Sequence, residues 1–472
     1  MPPSTSLICD HTRLTFSSSS HATAVGFKRP SLAQRIAATT PQGTVKSTTG
    51  TIASAKEDSI ASTFPAPLVL PEDELSSDPT YPPQSLRSWI RDKDRNKVTP
   101  ERRIVYFASP PDVGPGLEFL QKWKQPRSKG AVQEKLVKSP KTSDVLGYLE
   151  AFYHGLPVKM LPSPSVCFTA DVDDEIIEPP PKTKGKKRNG KVMEAKSQML
   201  WLNTHTTSGC VGIRTRATPK GDFTHQLNLN DLLDAAIEMV PSDAYALLML
   251  VDHDIYEDED DEFACGRAYG GSRIAVVSSA RYNPILDAAQ GVERDHGWPA
   301  SHCEKYMQSC CTEGNGDGLE ESQKDSFSRV GKSLATASKY SKDKVNSPMD
   351  AAVAAHISRP SLHENPSVAT LSGLWLGRVC RTASHELGHC FGIDHCVYYA
   401  CAMQGTASVI EDARQPLNLC PIDLAKVLRA TGANMNDRYR ELLAFCEKHN
   451  EAHLFAAYGA WICGRMEIEN DF

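Results

Sequence analysis

Residues 385–395 read HELGHCFGIDH, and no other stretch restricts so tightly what this chain can fold into. Two histidines four residues apart share a face only on a helix, so His385 and His389 require helical backbone beneath them. On that helix both imidazoles can reach one ion. Glu386, beside the first, can take a proton from a water on that ion. Gly392 permits the left-handed turn that ends the helix and swings the chain back. His395 then arrives as a third nitrogen ligand. Three protein ligands leave a fourth tetrahedral position open to water, the arrangement of a catalytic zinc. A bare H-E-x-x-H arises often by chance on ordinary helices. The glycine and third histidine in register make the longer pattern far more specific.

The residues that follow carry a second pattern. Cys396 comes directly after the third histidine, then Cys401, Met403 and Cys420. The run HExxHxxGxxHC, four residues, C-x-M and a later C-x-x-C pair resembles the archaemetzincins. The stretches MQG, RQPLNLCPI and YLEAFYHGLPVKML also look like that family, and the resemblance extends over roughly residues 100–470. It implies that His385, His389 and His395 hold the catalytic zinc, that Glu386 is the general base and that Met403 forms the turn under the site. It further implies that Cys396, Cys401 and Cys420 bind a second, structural zinc. One position departs from the pattern: the last cysteine of the pair should be residue 423, which here is Asp423. Asp423 ligates directly, another group such as Cys446 or Cys463 replaces it, or the second zinc is lost. Direct ligation is preferred, because three spare buried thiols would be costly without an ion and a carboxylate can bind zinc. Some metzincins carry a tyrosine two residues after the turn methionine; here that position is Gly405, and Tyr398 and Tyr399 are only neighbours in sequence.

The balance of the chain agrees with a globular protein of ordinary make-up. Its 472 residues exceed one compact core. A hydrophobic fraction of 40% is slightly low, as expected if part of the chain is disordered. The net charge of −6 gives no reason to expect nucleic acid as a partner. The longest apolar run, Ala244 to Val251, suits a buried strand and is far too short for a membrane span. There is no apolar signal core at the start and no Asn-x-Ser/Thr acceptor site, so an intracellular location, cytoplasmic or nuclear and not secreted, is expected. Fourteen cysteines in a chain of this length do not suggest a disulfide scaffold.

Residues 1–85 carry SSSS, TTG and many prolines, with Asp10 the only acid before Glu57. That composition reads as a disordered tail rather than a transit peptide, since no amphipathic helix is evident. Two insertions interrupt the next unit, residues 86–392. The first, 171–192, runs from DVDDEIIE to KTKGKKRNGK and reads as a solvated loop rather than a nuclear-localisation patch. The second, 283–349, is polar and holds His296, His302, Cys303, Cys310 and Cys311. A small metal site with His296 and His302 is conceivable there, but an irregular insertion is preferred. Residues 393–472 form a smaller C-terminal subdomain carrying the second zinc.

Between the insertions, strands are expected at 103–108, 157–161, 198–203 and 244–251, and helices at 143–155 and 230–240, the latter capped by Asn228 or Asn230. The acidic run 257–262 reads as a surface loop that could favour basic peptides. Residues 263–269 and 273–281 read as two strands around a turn. The resemblance makes Gly266, Arg267, Ala268 and Tyr269 a substrate-binding edge, to which an extended peptide adds by main-chain hydrogen bonds. The active-site helix spans 372–390, with Trp375, Leu376, Val379, Cys380, Ala383, Leu387 and Cys390 as its core face. Helices follow at 421–430, 437–449 and 452–466, the last packing through Trp461.

The expected architecture is therefore a mixed α/β (α+β) metzincin-like fold, a twisted mixed sheet with an active-site helix above a small helical subdomain. The expected function is zinc-dependent hydrolysis of peptide bonds in peptide or protein substrates, with two Zn(2+) per chain. The alternatives are a non-catalytic zinc-binding scaffold and a nuclear interaction protein. Glu386 argues against the scaffold, because a purely structural site has no use for that carboxylate.

Overall fold

A computed structural model describes residues 9, 11, 13–44, 63–127, 137–162, 166–169, 198–206, 209–313, 347–362 and 365–470. The insertion expected at 171–192 lies outside them, as does 314–346. The strands are β1 (Ile104–Ala108), β2 (Asp112–Val113), β3 (Val158–Met160), β4 (Cys167–Thr169), β5 (Gln198–Asn203), β6 (Cys210–Ala217), β7 (His225–Asn228), β8 (Ala244–Val251), β9 (Ile255–Tyr256), β10 (Gly266–Tyr269) and β11 (Ile274–Ser278). They form two sheets, one of five strands ordered β10-β11-β8-β1-β3 and one of six ordered β2-β4-β5-β6-β7-β9. In the first, all neighbours are parallel except the edge strand β10, which runs antiparallel to β11 with Arg267 opposite Val276.

The central strand β8 is buried at all eight positions, which is why it reads as an unbroken apolar run without alternation. Its two faces serve two cores. Phe107, Leu248, Leu250, Ala275 and Val277 face one; Tyr106, Leu247, Met249, Val251 and Val276 face the other. The first core contains the helices α1 (Thr142–Phe152) and, after α2 (Leu229–Glu238) and α3 (Pro348–Ile357), the long α4 (Val368–Cys390). The second core takes α2, capped by Asn228, together with the inner face of the six-stranded sheet. Beyond α4 come α5 (Pro421–Thr431), α6 (Met435–Lys448) and α7 (His453–Asn470), whose Trp461 is fully buried. No described helix is long and apolar enough to cross a membrane.

Two expectations are corrected. Residues 13–44 and 63–85 are not a disordered tail but an ordered arm. Phe64, Ala66, Leu68, Val69 and Leu70 are all at most 6% exposed. Ser31 and Gln34 form a reciprocal capping box on the short helix Leu32–Ala38. The arm lies extended against the C-terminal subdomain: Ala400 N donates to Pro65 O (3.0 Å), and Phe64 packs edge-on against Trp461 (5.7 Å). A run such as FPAPLVL has no helical or strand period, so it buries itself only by docking on a preformed surface. The second insertion is also ordered over its described part. Trp298, Ala300 and Cys303 are at most 2% exposed there, and a helix covers Glu304–Glu313. Of the six-stranded sheet only β5 was expected, and β2, β4, β6, β7, β9 and α3 are additional elements; α4 begins at Val368, with Ser367 as its cap, four residues before the expected start.

Candidate active site

The helix α4 carries the first two histidines and ends as its sequence requires. Gly392 adopts φ +71°, Gly392 N donates to His389 O (2.9 Å) and Ile393 N to Gly388 O (3.1 Å), the paired bonds of a Schellman turn. Tyr153 and Tyr245 pack on Phe391 at ring separations of 4.9 and 4.5 Å and fix that turn from below. The turn returns His395 to the helix face, and one ring atom from each of His385, His389 and His395 lies within 4.8 Å of the others. His385 Nε2 and His389 Nε2 are 3.0 Å apart. Zinc bonds of about 2.0–2.1 Å to nitrogen and about 2.3 Å to sulfur put tetrahedral ligand atoms about 3.3–3.8 Å apart, so the set fits one ion with slight expansion.

Each ring is held by its other nitrogen. His385 Nδ1 donates to Ala402 O (2.8 Å), His389 Nδ1 to Ile393 O (2.8 Å) and His395 Nδ1 to Glu74 Oε1 (2.7 Å). This outer layer fixes the tautomer that leaves Nε2 for a metal. Burial, followed by the charge of His395, pushes His389 down to about 4, so its ring is neutral and able to ligate at neutral pH. Glu386 is 9% exposed, and burial pushes it up to about 8. Met403 lies beneath the helix, and a Cβ at Gly388 would collide with its sulfur.

Glu74 belongs to the arm, and sequence reasoning missed it. The same arm supplies Tyr81, whose ring centre is 5.8 Å from that of His395, and Gln84, which donates to Gly392 O (2.9 Å). Glu74 also accounts for Gly405: a Cβ there would run into the Glu74 carboxylate, so no side chain fits where other metzincins carry tyrosine. Tyr398 and Tyr399 face the arm instead. Arg29 Nε donates to Tyr398 O (2.7 Å), and the Arg29 guanidinium sits 4.7 Å over the Tyr399 ring.

The three cysteines also converge, and Asp423 joins them. Cys396 Sγ is 3.6 Å from Cys420 Sγ, and Asp423 Oδ2 is 3.3 Å from both Cys401 Sγ and Cys420 Sγ. All four are at most 3% exposed. These edges match a tetrahedral site of mixed sulfur and oxygen donors. Backbone N–H groups of Met403 (3.5 Å) and Cys420 (3.2 Å) point at Cys401 Sγ, as suits a thiolate. The second carboxylate oxygen of Asp423 accepts from Lys426 Nζ (2.8 Å), and Lys426 is itself 1% exposed. Cys446 packs in the hydrophobic core and Cys463 is exposed, both outside this cluster.

A cleft of about 620 Å³ opens in front of the histidines. Gly266, Arg267 and Ala268 of β10 form one wall; Tyr269 does not, because its hydroxyl turns away to Asn230 Oδ1 (2.9 Å). A Cβ on Gly266 would lie 3.3 Å from Glu386 Cγ. Three acids of the run are paired within the chain: Glu257 with Arg267, Glu262 with Lys220 and Glu259 with Arg216 (3.7 Å).

A profile of peptidase family M54 matches residues 352–429, which hold the histidines, Glu386, the three cysteines and Asp423. Archaemetzincin-2 of Mus musculus is 25% identical over 375 residues, 79% of this chain and 72% of its own. The Homo sapiens protein of that name is 24% identical over 383 residues, 81% and 74% of the two chains. The chain is similar to the archaemetzincins over most of its length and carries the M54 region. It is a zinc metallopeptidase. A solved archaemetzincin from Methanopyrus kandleri aligns at 14% identity and a TM-score of 0.28, covering 71% of this chain and 99% of its own. In this chain the histidines expected from sequence come together in one cluster, and the cysteines with Asp423 in another. What the motif could not reveal is the arm behind His395, because Glu74 lies 321 residues away in a stretch whose composition resembles a linker.

Proposed function

We propose that this chain binds its catalytic zinc through His385, His389 and His395, and that Glu386 carries the proton during peptide hydrolysis. The observation that carries this reading is the three Nδ1 anchors, which leave three Nε2 atoms converging beside a buried carboxylate. A zinc bound there supplies a Lewis acid and lowers the pKa of water in the open fourth position. Glu386 takes one proton from the attacking water on a carboxylate oxygen. It returns a proton to the leaving amine nitrogen as the C–N bond breaks. Its burial suits a group that must both accept and release a proton near neutral pH. The peptide lies extended along β10, paired by main-chain hydrogen bonds to the free edge beyond Gly266. A second zinc, held by Cys396, Cys401, Cys420 and Asp423, ties the loop after His395 to the start of α5.

The test is Glu386→Gln, which leaves the histidines intact. Its zinc content should equal the parent's while cleavage of a peptide library falls at least ~100-fold. Cleavage at the parent rate would refute the role of Glu386. A parent that binds zinc but cleaves no peptide, with or without chelator, would instead favour the scaffold reading.

A further inference from the structure

A third set of soft donors lies outside the lining of the cleft, where the arm meets the ordered part of the second insertion. Arg13 to Thr15 pair with His302 to Glu304 in a short antiparallel bridge: Thr15 N donates to His302 O (2.8 Å) and Glu304 N to Arg13 O (2.9 Å). The bridge sets Leu14 opposite Cys303 and carries the preceding residues, Cys9 and His11, alongside it. One donor atom from each of Cys9, His11 and His296 lies within 4.8 Å of the others; Cys303 falls outside that trio but its Sγ is 3.2 Å from His11 Nδ1.

His296 is the independent witness. It is 4% exposed, and its ring is stacked on Tyr306 at 4.1 Å and 8°. Its Nδ1 bonds Glu293 Oε1 (2.7 Å), while its Nε2 is buried with no hydrogen-bond partner. An orphaned buried ring nitrogen is costly and is normally satisfied. A carboxylate on one ring nitrogen with the other left vacant is the arrangement that orients a metal-binding histidine. It is also how the histidines of the cleft are held, with their Nδ1 anchored.

We propose that Cys9, His11, His296 and Cys303 form a third metal site of the Cys₂His₂ class, taking Zn²⁺ or another ion of similar softness. Two thiolates and two neutral imidazoles balance the charge of a divalent ion, which suits a partly buried position. Four protein donors leave no open position, so the site is structural. The sequence hides it, because Cys9-x-His11 and His296-x₆-Cys303 are separated by most of the chain, and His296 pairs with His11 rather than with nearby His302. Leu68 and Leu70 share a hydrophobic cluster with Cys303 and Tyr306. The ion would therefore fasten the start of the chain beside the stretch that leads to Glu74.

The experiment measures zinc per chain in the purified full-length protein under reducing conditions, for the parent, His11→Ala, His11→Cys and Cys9→Ser/His11→Ala. Expected is one zinc fewer per chain in His11→Ala and in the double variant, with the parent value kept in His11→Cys, whose thiol can replace the imidazole. Readdition of zinc to chelator-stripped protein should raise the melting temperature more in the parent than in His11→Ala. Equal zinc in parent and double variant overturns the proposal, as does a parent whose Cys9 and Cys303 are joined in a disulfide. Should the double variant not fold, the His11→Ala and His11→Cys pair decides alone, and equal zinc in those two refutes the site. The difference between variants is independent of how many ions the other two clusters hold, so failure here leaves the catalytic reading intact.

Discussion

Asp423 and Lys426 form a buried ion pair at 2.8 Å, each 1% exposed, and that pairing changes what a substitution at 423 does. Considered alone, Asp423→Cys restores a four-thiolate site and should tighten zinc binding. With Lys426 present, it strands a buried ammonium whose remaining close partner is Gln84 Oε1 (2.8 Å). Breaking such a pair costs about 3–5 kcal/mol. Asp423→Cys is therefore expected to keep the second zinc but melt lower than the parent, and Asp423→Cys/Lys426→Leu to regain the loss; thermal melts with metal analysis check both. Asp423→Ala should lose that zinc outright. Glu74 holds His395 Nδ1 (2.7 Å) and does not line the cleft, so on the proposed zinc site it would act through His395. Glu74→Gln keeps the hydrogen bond but not the charge, and Glu74→Ala removes both. Chelator competition should show zinc affinity of the cleft falling about 10–100-fold in Glu74→Ala and less in Glu74→Gln, with KM little changed. An unchanged affinity in Glu74→Ala would remove Glu74 from the site.

At the scale of elements, the arm is the part most open to test. Burying Phe64, Leu68, Val69 and Leu70 alone contributes roughly 6 kcal/mol at about 1.5 kcal/mol per side chain, before the entropy of ordering the segment is set against it. A chain starting at residue 86 should therefore lose zinc from the cleft and melt well below the parent; equal melting and zinc content would return the arm to the status of a tail. The elements legible in sequence are those whose own residues state their partner. β8 announces burial on both faces by an unbroken AYALLMLV. α4 shows its buried stripe through Trp375, Val379 and Ala383 and its end through Gly392. The arm carries no such signal. Its prolines and serines average to a disordered composition, while its few apolar residues are spaced for pockets made by other parts of the chain. Of the meander only β5 was legible; β6 reads CVGIRTRA with only Ile213 and Thr215 buried along it, which hides its strand period.

For the molecule as a whole, stability should respond to acid through His253. Its ring is buried against Phe168 (5.5 Å, edge-on), and burial with nearby Lys124 pushes it down to about 3. The unfolded chain takes up that proton near pH 6.5. The native state is thus favoured fully above about pH 6.5, and the advantage is lost progressively as pH falls toward about 3. His253→Phe should flatten this part of the stability-against-pH curve in denaturant titrations between pH 7 and pH 4, if it packs in the same place; an unchanged slope would mean the ring is solvated. The contact between Glu74 and His395 has a further consequence, in time rather than space. During synthesis Glu74 leaves the ribosome 321 residues ahead of the histidine it holds, about 15–65 s at ordinary elongation rates. Pro65, Arg29 and Gln84 likewise wait for Ala400, Tyr398 and Gly392. The arm is made before the parts it docks on, so a nascent chain has no completed histidine site until residue 395 has emerged.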